Sequence, residues 1–146
     1  MIRGVEPRDR EEWLLMTEAF YKSPAVEHDI PCSYREKTFS LILKGTPFAK
    51  GLMLEADGKV AGYALLALTY SQEAGGDVVW IEEIYVKKEY RNRGLGHELF
   101  LWLEENFPDA ARFRLEVEEE NEGAVKLYSS LGYRFLPYSQ MIKDKL

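Results

Sequence analysis

A basic, glycine-containing turn is the stretch of this sequence whose residue types and spacing most clearly suggest chemistry. It follows an apolar run over residues 78–86 and precedes a helical pattern that continues to Phe107. Glycines let the backbone approach a ligand closely, and the free N–H groups and dipole of a helix N-terminus favour negative charge. The arrangement therefore predicts a phosphate-binding strand–turn–helix unit. Its turn consists of Arg91, Asn92, Arg93, Gly94, Leu95 and Gly96.

A dinucleotide-binding turn is the main alternative for this glycine pattern. Gly94-x-Gly96 begins the motif Gly-x-Gly-x-x-Gly, but Leu99 stands where the third glycine belongs. The chain after the turn is also too short for the second half of a doubly wound sheet. We therefore expect the turn to hold phosphate in a different fold.

Four helices are predicted from hydrophobic periodicity and capping residues, one of them directly after the glycine turn. The first starts with a capping-box pattern at Asp9. The second starts with a similar pattern at Ser33 and ends at Gly45. The last begins after Asn121, a good N-cap, and ends at Gly132.

Seven short strands are predicted between and around these helices. Asp57-Gly58 is a strong hairpin signal between the second and third strands. Residues 112–117 alternate apolar and polar side chains, as a half-buried strand does. The expected strands cover residues 2–6, 50–56, 59–70, 78–86, 112–117, 133–136 and 140–142.

The composition narrows the class of protein. The 146 residues are the size of one domain, residues 1–146. We expect a cytoplasmic protein without a membrane segment, because no apolar run could span a bilayer or serve as a signal peptide. The net charge of −6 argues against nucleic-acid binding and suits a cationic substrate. Cys32 is the lone cysteine, and two isolated histidines predict no metal site.

Two stretches of the chain together resemble the GNAT superfamily of N-acetyltransferases. One is Arg-x-x-Gly-x-Gly after a strand that ends in Ile84, Tyr85 and Val86. The other is Glu-Asn-Glu-Gly-Ala-x-x-Leu-Tyr-x-x-Leu-Gly-Tyr, which contains Asn121 and Tyr128. The first seventy residues match mainly in element order. The resemblance implies an α/β (α+β) fold with a mixed, mostly antiparallel central sheet of six to seven strands, flanked by about four helices.

The resemblance also implies a site for acetyl-CoA as the co-substrate, with no metal. Backbone N–H groups from the glycine turn through His97 would hold the pyrophosphate, and Arg91 would add charge-assisted hydrogen bonds. The strand edge at residues 84–86 would pair with the pantetheine arm. Asn121 and Tyr128 match positions that border the pantetheine and its thiol end.

The reaction implied is direct transfer of an acetyl group to a primary amine of a small molecule, polyamine-like or amino-acid-like, or of an exposed protein. The arriving ammonium must first lose a proton. Glu82 and Glu116 both match carboxylates that serve as the base through ordered water, and we prefer Glu82 because its local sequence resembles the polyamine-acetylating branch. Adjacent strand residues point to opposite faces, so only one of Glu82 and Glu83 is expected in a given cleft. Tyr128 would protonate the leaving thiolate.

A noncatalytic acyl-CoA-binding module of the same fold is the competing function. The joint presence of Tyr128, Glu82 and Glu116 favours the enzyme, since a binding module could lose all three. The sequence does not distinguish acetyl-CoA from an acyl-CoA with a longer chain, because the motif recognises the CoA part of the ligand. The resemblance also implies a possible homodimer, and we expect no nucleic-acid or membrane partner.

Overall fold

The structure is a computed structural model that describes residues 1–145. The chain forms two compact units, Met1–Leu115 and a second unit that begins at Glu116. Among residues 1–145, no helix has the length and apolar character needed to cross a membrane.

A mixed five-stranded sheet forms the centre of the first unit. Its strands lie in chain order, with three antiparallel pairs and one parallel pair at the end. The predicted fold class is therefore confirmed, although residues 1–145 contain five strands rather than six to seven. The strands are β1 (Ile2–Gly4), β2 (Ala49–Ala56), β3 (Lys59–Ser71), β4 (Gly76–Val86) and β5 (Arg112–Leu115).

The hairpin between β2 and β3 turns where the sequence predicted. Asp57 and Gly58 both have positive φ, at 56° and 73°. Positive φ at both central residues is the geometry of the two-residue turn whose twist matches the flanking strands. The turn therefore sets the pairing of β2 with β3 next to it, where Ala56 lies opposite Lys59.

Four α-helices are present in residues 1–145, as predicted. Three belong to the first unit and one to the second. They are α1 (Arg10–Tyr21), α2 (Cys32–Leu43), α3 (Leu95–Asn106) and α4 (Glu122–Ser130). The long connection between α1 and α2 is a loop, as expected, and Gly45 ends the second helix region with φ of 81°.

The two predicted N-terminal capping boxes are wrong. Asp9 occupies the N-cap position of α1, as predicted, but its side chain makes no capping hydrogen bond to that helix; its carboxylate instead accepts a hydrogen bond from the Glu6 N–H at 2.8 Å and two from Arg3 at 2.7 and 2.9 Å. At α2 the N-cap position is Pro31, so the helix begins one residue before Ser33. The capping pattern therefore fails at α1 because the Asp9 carboxylate is bound elsewhere, and at α2 because the helix begins at Cys32.

One part of the apolar core of the first unit lies between α1, α2 and the sheet, and four side chains of α3, from Leu95 to Leu103, are buried as well. Trp13, Met16 and Phe20 line one face of α1 and contact Phe39 of α2. Tyr63 of β3 packs against Trp13 with ring centroids 4.9 Å apart. The helical spacing of these α1 side chains is what buries them together.

The second unit holds α4 and the chain that follows it. The Asn121 side chain accepts a hydrogen bond from the Ala124 N–H at 3.3 Å, and Gly132 follows the helix with φ of 93°, both as predicted. The strands predicted at residues 133–136 and 140–142 are absent, because 133–145 is neither helix nor strand. Pro137 cannot donate to a strand ladder, and Met141 is 97% exposed, so burial does not favour pairing there.

Candidate active site

The glycine turn presents open space and unused N–H groups at the start of α3. Gly94 has φ of 80° and directly precedes the helix, a conformation that disfavours side chains. No non-neighbouring atom lies within 4 Å of a Cβ built on Gly94 or Gly96. The first intrahelical bond runs from the Glu98 N–H to the Gly94 carbonyl at 2.9 Å. The N–H groups before it, through His97, therefore have no partner within the helix and suit an anion.

The two arginines of the turn have different surroundings. The Arg91 Nε donates to the Val86 carbonyl at 2.9 Å, and its guanidinium lies 5.9 Å from the centroid of the Tyr85 ring. The Arg93 guanidinium donates to Asp57 at 2.9 Å, at the tip of the β2–β3 hairpin. Arg91 is thus held beside the end of β4, whereas the Arg93 side chain fastens the turn to the hairpin.

The end of β4 has a backbone edge that no strand covers. β5 pairs with β4 only from Val78 to Ile81, opposite Arg112 to Leu115. β4 continues to Val86, so within the described sheet its edge from Glu82 onward is open. An extended ligand with amide groups could pair with such an edge as an added strand. The predicted pantetheine residues, 84–86, lie on this edge and lead directly to the glycine turn.

A β-bulge lies where β4 and β5 part. Leu65 is opposite Glu83 and Leu66 is opposite Ile81, so β4 contains one extra residue at this point, Glu82. Side chains of a regular strand alternate between its two faces, and this alternation, which we expected for Glu82 and Glu83, is therefore interrupted at the bulge. Glu82 is exposed, while Glu83 is only 8% exposed.

Glu83 forms a buried cluster with two tyrosines that the sequence did not predict. Its Oε1 accepts a hydrogen bond from the Tyr63 hydroxyl at 2.7 Å, and its Oε2 accepts one from the Tyr21 hydroxyl. Burial raises the pKa of Glu83, and the hydrogen bonds from the two phenols oppose that rise. Burial and the neighbouring carboxylate raise the pKa values of Tyr21 and Tyr63. No local motif signals this cluster, since Tyr21 is 62 residues from Glu83.

The remaining predicted site residues belong to the second unit. Asn121 caps α4 with its side chain, and Glu116 is exposed. Tyr128 is half-buried, its ring centroid is 6.1 Å from that of Tyr133, and burial raises the pKa of its hydroxyl. The structure thus places Glu82 and the residues from Ile84 through the glycine turn in the first unit, and the other three in the second.

A strand with an open edge, a glycine turn and a helix N-terminus follow one another in the first unit, an arrangement that could bind an extended ligand carrying phosphate. A family model described as Acetyltransferase (GNAT) family matches residues 12–133. Because that match covers most of the chain, the protein belongs to the GNAT acetyltransferase family. The resemblance drawn from the two sequence stretches is confirmed.

Named relatives cover part of the chain. Thialysine N-epsilon-acetyltransferase of Sus scrofa is 39% identical over 79 residues, which is 53% of this chain and 46% of that protein. A probable spermine N(1)-acetyltransferase of Bacillus subtilis subsp. natto is 26% identical over 93 residues, which is 60% of this chain and 61% of that protein. The chain therefore spans between about half and three fifths of the length of these relatives.

Solved structures extend the likeness to the complete fold. A possible acetyltransferase from Clostridium difficile 630 has a TM-score of 0.84 at 22% identity, covering 100% of this chain and 97% of that chain. At this identity the comparison shows a shared fold.

Proposed function

We propose that this protein is an acetyl-CoA-dependent N-acetyltransferase that transfers an acetyl group directly to a primary amine. The observation that carries the proposal is the continuity of the open β4 edge with the glycine turn. Only residues 87–90 separate them. Pyrophosphate bound at the turn would direct the pantetheine back along residues 86–84, toward Glu82 and Glu83. The reacting thioester would then lie where β4 and β5 part.

The residues at this site fit acetyl-CoA as the co-substrate. The open space at Gly94 and Gly96 suits phosphate oxygens, which the N–H groups of the first helical turn would bind. Arg91, held beside Val86, can add charge-assisted bonds to phosphate through its terminal nitrogens. Asn121 and Tyr128 are proposed to border the pantetheine and thiol end. When bound, the co-substrate supplies the activated acetyl group.

The proposed chemistry needs two proton transfers. The acceptor ammonium loses a proton to a carboxylate through ordered water, because a protonated amine has no lone pair. The neutral nitrogen then forms a bond to the thioester carbon as the carbon–sulfur bond breaks. Tyr128 gives its hydroxyl proton to the departing sulfur. Glu82 and Glu116 are the two carboxylates predicted for the base.

The proposed acceptor is a small cationic amine, polyamine-like or amino-acid-like. The names of the relatives, which refer to thialysine and spermine, support this class. The net charge of −6 also favours the approach of a cation. An exposed protein amine is the alternative acceptor, and a longer acyl group is the alternative donor.

Release of CoA thiol tests this proposal. Acetyl-CoA is mixed with the protein and with a panel containing spermine, thialysine, lysine methyl ester and an aminoglycoside, and free thiol is followed. We expect thiol release that depends on at least one amine. Tight CoA binding with no amine-dependent thiol would instead support a noncatalytic acyl-CoA-binding module.

Substitution of the two predicted carboxylates distinguishes their roles. Glu82→Gln should lower kcat/KM about tenfold or more, because Glu82 lies at the bulge where the thioester is proposed to end. Glu116→Gln, the matched control, should change kcat/KM less. A larger loss in Glu116→Gln, measured with the same amine, would transfer the role to Glu116.

We also propose that residues 1–146 form a single cytoplasmic domain that assembles as a homodimer. These proposals rest on chain length, sequence composition and family resemblance. Sedimentation at micromolar concentration tests the dimer, cell fractionation tests the location, and a single cooperative unfolding transition tests the domain.

A further inference from the structure

Glu83 is a buried carboxylate whose negative charge is stabilised by hydrogen bonds from two phenols rather than by an ion pair. In the part of the chain that the structure describes, its hydrogen-bond partners are the hydroxyls of Tyr21 and Tyr63, and no ion pair involves it. Burying a carboxylate without a positive partner is costly. An apolar or amide side chain would fill the same place at lower cost. This carboxylate is therefore better explained by chemistry than by packing.

The two phenols differ in access. Tyr63 is 0% exposed and packs inside the core between Trp13 and Tyr85, with ring centroids 4.9 and 6.1 Å away. Tyr21 is only half-buried and is the last residue of α1, where the loop toward α2 begins. A proton can therefore reach Glu83 from the surface through Tyr21, while Tyr63 holds the carboxylate in place.

The position of Glu83 at the start of the open β4 edge indicates which group Tyr21 and Glu83 could act on. Glu83 follows the bulged Glu82, at the point where β5 ends and the edge opens. Under the proposed function this is where the thioester carbon would lie, so the acceptor amine must arrive beside it. Tyr21 comes from α1 and Glu83 from β4. The other charged and titratable groups around them are Arg35 from α2, Tyr63 from β3, and Glu82 and Tyr85 from β4.

We propose that Tyr21 and Glu83 form a relay that takes the proton from the acceptor ammonium. The ammonium gives a proton to the Tyr21 hydroxyl oxygen, and the phenolic proton moves to Glu83 Oε2. The products are a neutral amine, an intact phenol and a protonated carboxylic acid, so charge and atoms balance. The relay replaces Glu82 and Glu116 as the proton acceptor, and Glu82, exposed at the bulge, then attracts the cation. This inference rests on the proposed acetyltransferase function.

The protonation chemistry of the cluster agrees with this geometry. Burial raises the pKa of Glu83, which brings it closer to that of an amine than an exposed carboxylate would be. Burial and Glu83 raise the pKa of Tyr21, so the phenol passes a proton on without remaining ionised.

The test is the pH dependence of kcat/KM in Tyr21→Phe, with the best acceptor from the amine panel. At pH 7 we expect a loss of about 10- to 100-fold, since the amine arrives protonated. The loss should shrink as the pH approaches the pKa of the amine, because solvent then supplies the neutral nucleophile. Tyr34→Phe, which removes an exposed phenol from α2, is the matched control and should keep the unmodified profile.

Glu83→Gln is a second variant in case Tyr21→Phe fails to fold, and it should show the same pH-dependent loss. A loss that is constant at every pH in both variants, or no loss in either, overturns the relay while leaving the acetyltransferase in place. Absence of turnover by the unmodified protein with every amine overturns the proposed function and the relay with it.

Discussion

The hydroxyl of Tyr128 is the proposed proton donor to the leaving thiolate. Burial raises its pKa, so the phenol is protonated at neutral pH and able to donate. Tyr128→Phe should lower kcat by about 100-fold or more, because it removes that proton. CoA affinity, measured by calorimetry, should change by less than about twofold, since the ring remains.

Tyr133→Phe is the control for this substitution. Tyr133 is an aromatic neighbour of Tyr128, with ring centroids 6.1 Å apart, and it has no proposed chemical role. Its kcat should stay close to that of the unmodified protein. An unchanged kcat in Tyr128→Phe would remove the acid role from Tyr128.

Asp9 is a residue whose stabilising role the structure revealed. Its side chain is 4% exposed and is paired with Arg3. Burial works against the charged carboxylate, but hydrogen bonds from Arg3 and the Glu6 N–H prevail and lower its pKa. Asp9→Asn should reduce the unfolding free energy by about 2 kcal/mol at pH 7, because it removes the charged partner at 2.7 Å and leaves Arg3 with Glu55 and Glu6 at 3.3 and 3.6 Å.

The pH dependence of stability checks the sign of this effect. A lowered folded-state pKa contributes stability that is present above the unfolded pKa, about 3.9, and is lost as the pH falls through the folded value. Denaturant unfolding should therefore show the gap between the two proteins narrowing below pH 4. Asp57→Asn, in an exposed pair with Arg93, should cost less than about 1 kcal/mol. If both variants lost the same unfolding free energy, burial of the Asp9–Arg3 pair would add no stability beyond that of an exposed pair.

At the residue scale, the sequence predicts groups that belong to a local motif and misses those assembled across the fold. The glycine turn and the capping role of Asn121 could be predicted, because each depends on neighbours within a few positions. The cluster of Tyr21, Tyr63 and Glu83 could not, since its members come from three separate elements. The β-bulge that sets Glu82 apart depends on pairing with β3 and has no local signal either.

The close approach of β3 and β4 depends on Gly62. A Cβ at this position would lie 2.2 Å from the Tyr85 carbonyl oxygen, which is backbone and cannot move aside without shifting β4. Gly62→Ala should therefore lower the unfolding free energy by about 1–3 kcal/mol. CoA binding should also weaken, because Tyr85 lies on the edge proposed for the pantetheine.

Gly4→Ala provides a matched control in the same sheet. Gly4 is in β1, and a Cβ there would have nothing within 4 Å. The midpoint temperature of its thermal unfolding should be unchanged or slightly higher, since alanine restricts the conformations of the unfolded chain. A Gly62→Ala protein as stable as Gly4→Ala would show that the two strands can separate without cost.

At the element scale, periodicity predicted all four helices and the first five strands. Helices α1 to α3 and strands β2 to β4 contain buried side chains, so their apolar pattern reflects real packing. The strands predicted at residues 133–136 and 140–142 had short apolar runs but no buried face in the structure. At α1 the predicted N-cap position, Asp9, is correct, but its carboxylate binds Arg3 and the Glu6 N–H instead of the helix; at α2 the N-cap position is Pro31 rather than Ser33.

For the whole molecule, the family match at residues 12–133 includes most of the first unit and part of the second. The proposed phosphate turn, open strand edge and proton relay all lie in the first unit. The proposed acid, Tyr128, lies in the second. Recognition of the CoA pyrophosphate is therefore expected to depend chiefly on the first unit.

The central claim is that the glycine turn binds the pyrophosphate of acetyl-CoA. Gly96 is the second residue of α3, has no positive φ and has open space at its Cβ position, so a side chain there does not strain the fold. Gly96→Glu places a negative charge where phosphate is proposed to bind. Gly96→Gln adds a side chain of the same size without the charge.

Calorimetric titration of the three proteins with CoA is the most direct measurement. We expect the unmodified protein to bind CoA and Gly96→Glu to bind it at least about 100-fold more weakly, a loss of about 2.7 kcal/mol of binding free energy. Gly96→Gln should fall between them. A Gly96→Glu protein that is folded and binds CoA as tightly as the unmodified protein would contradict the claim.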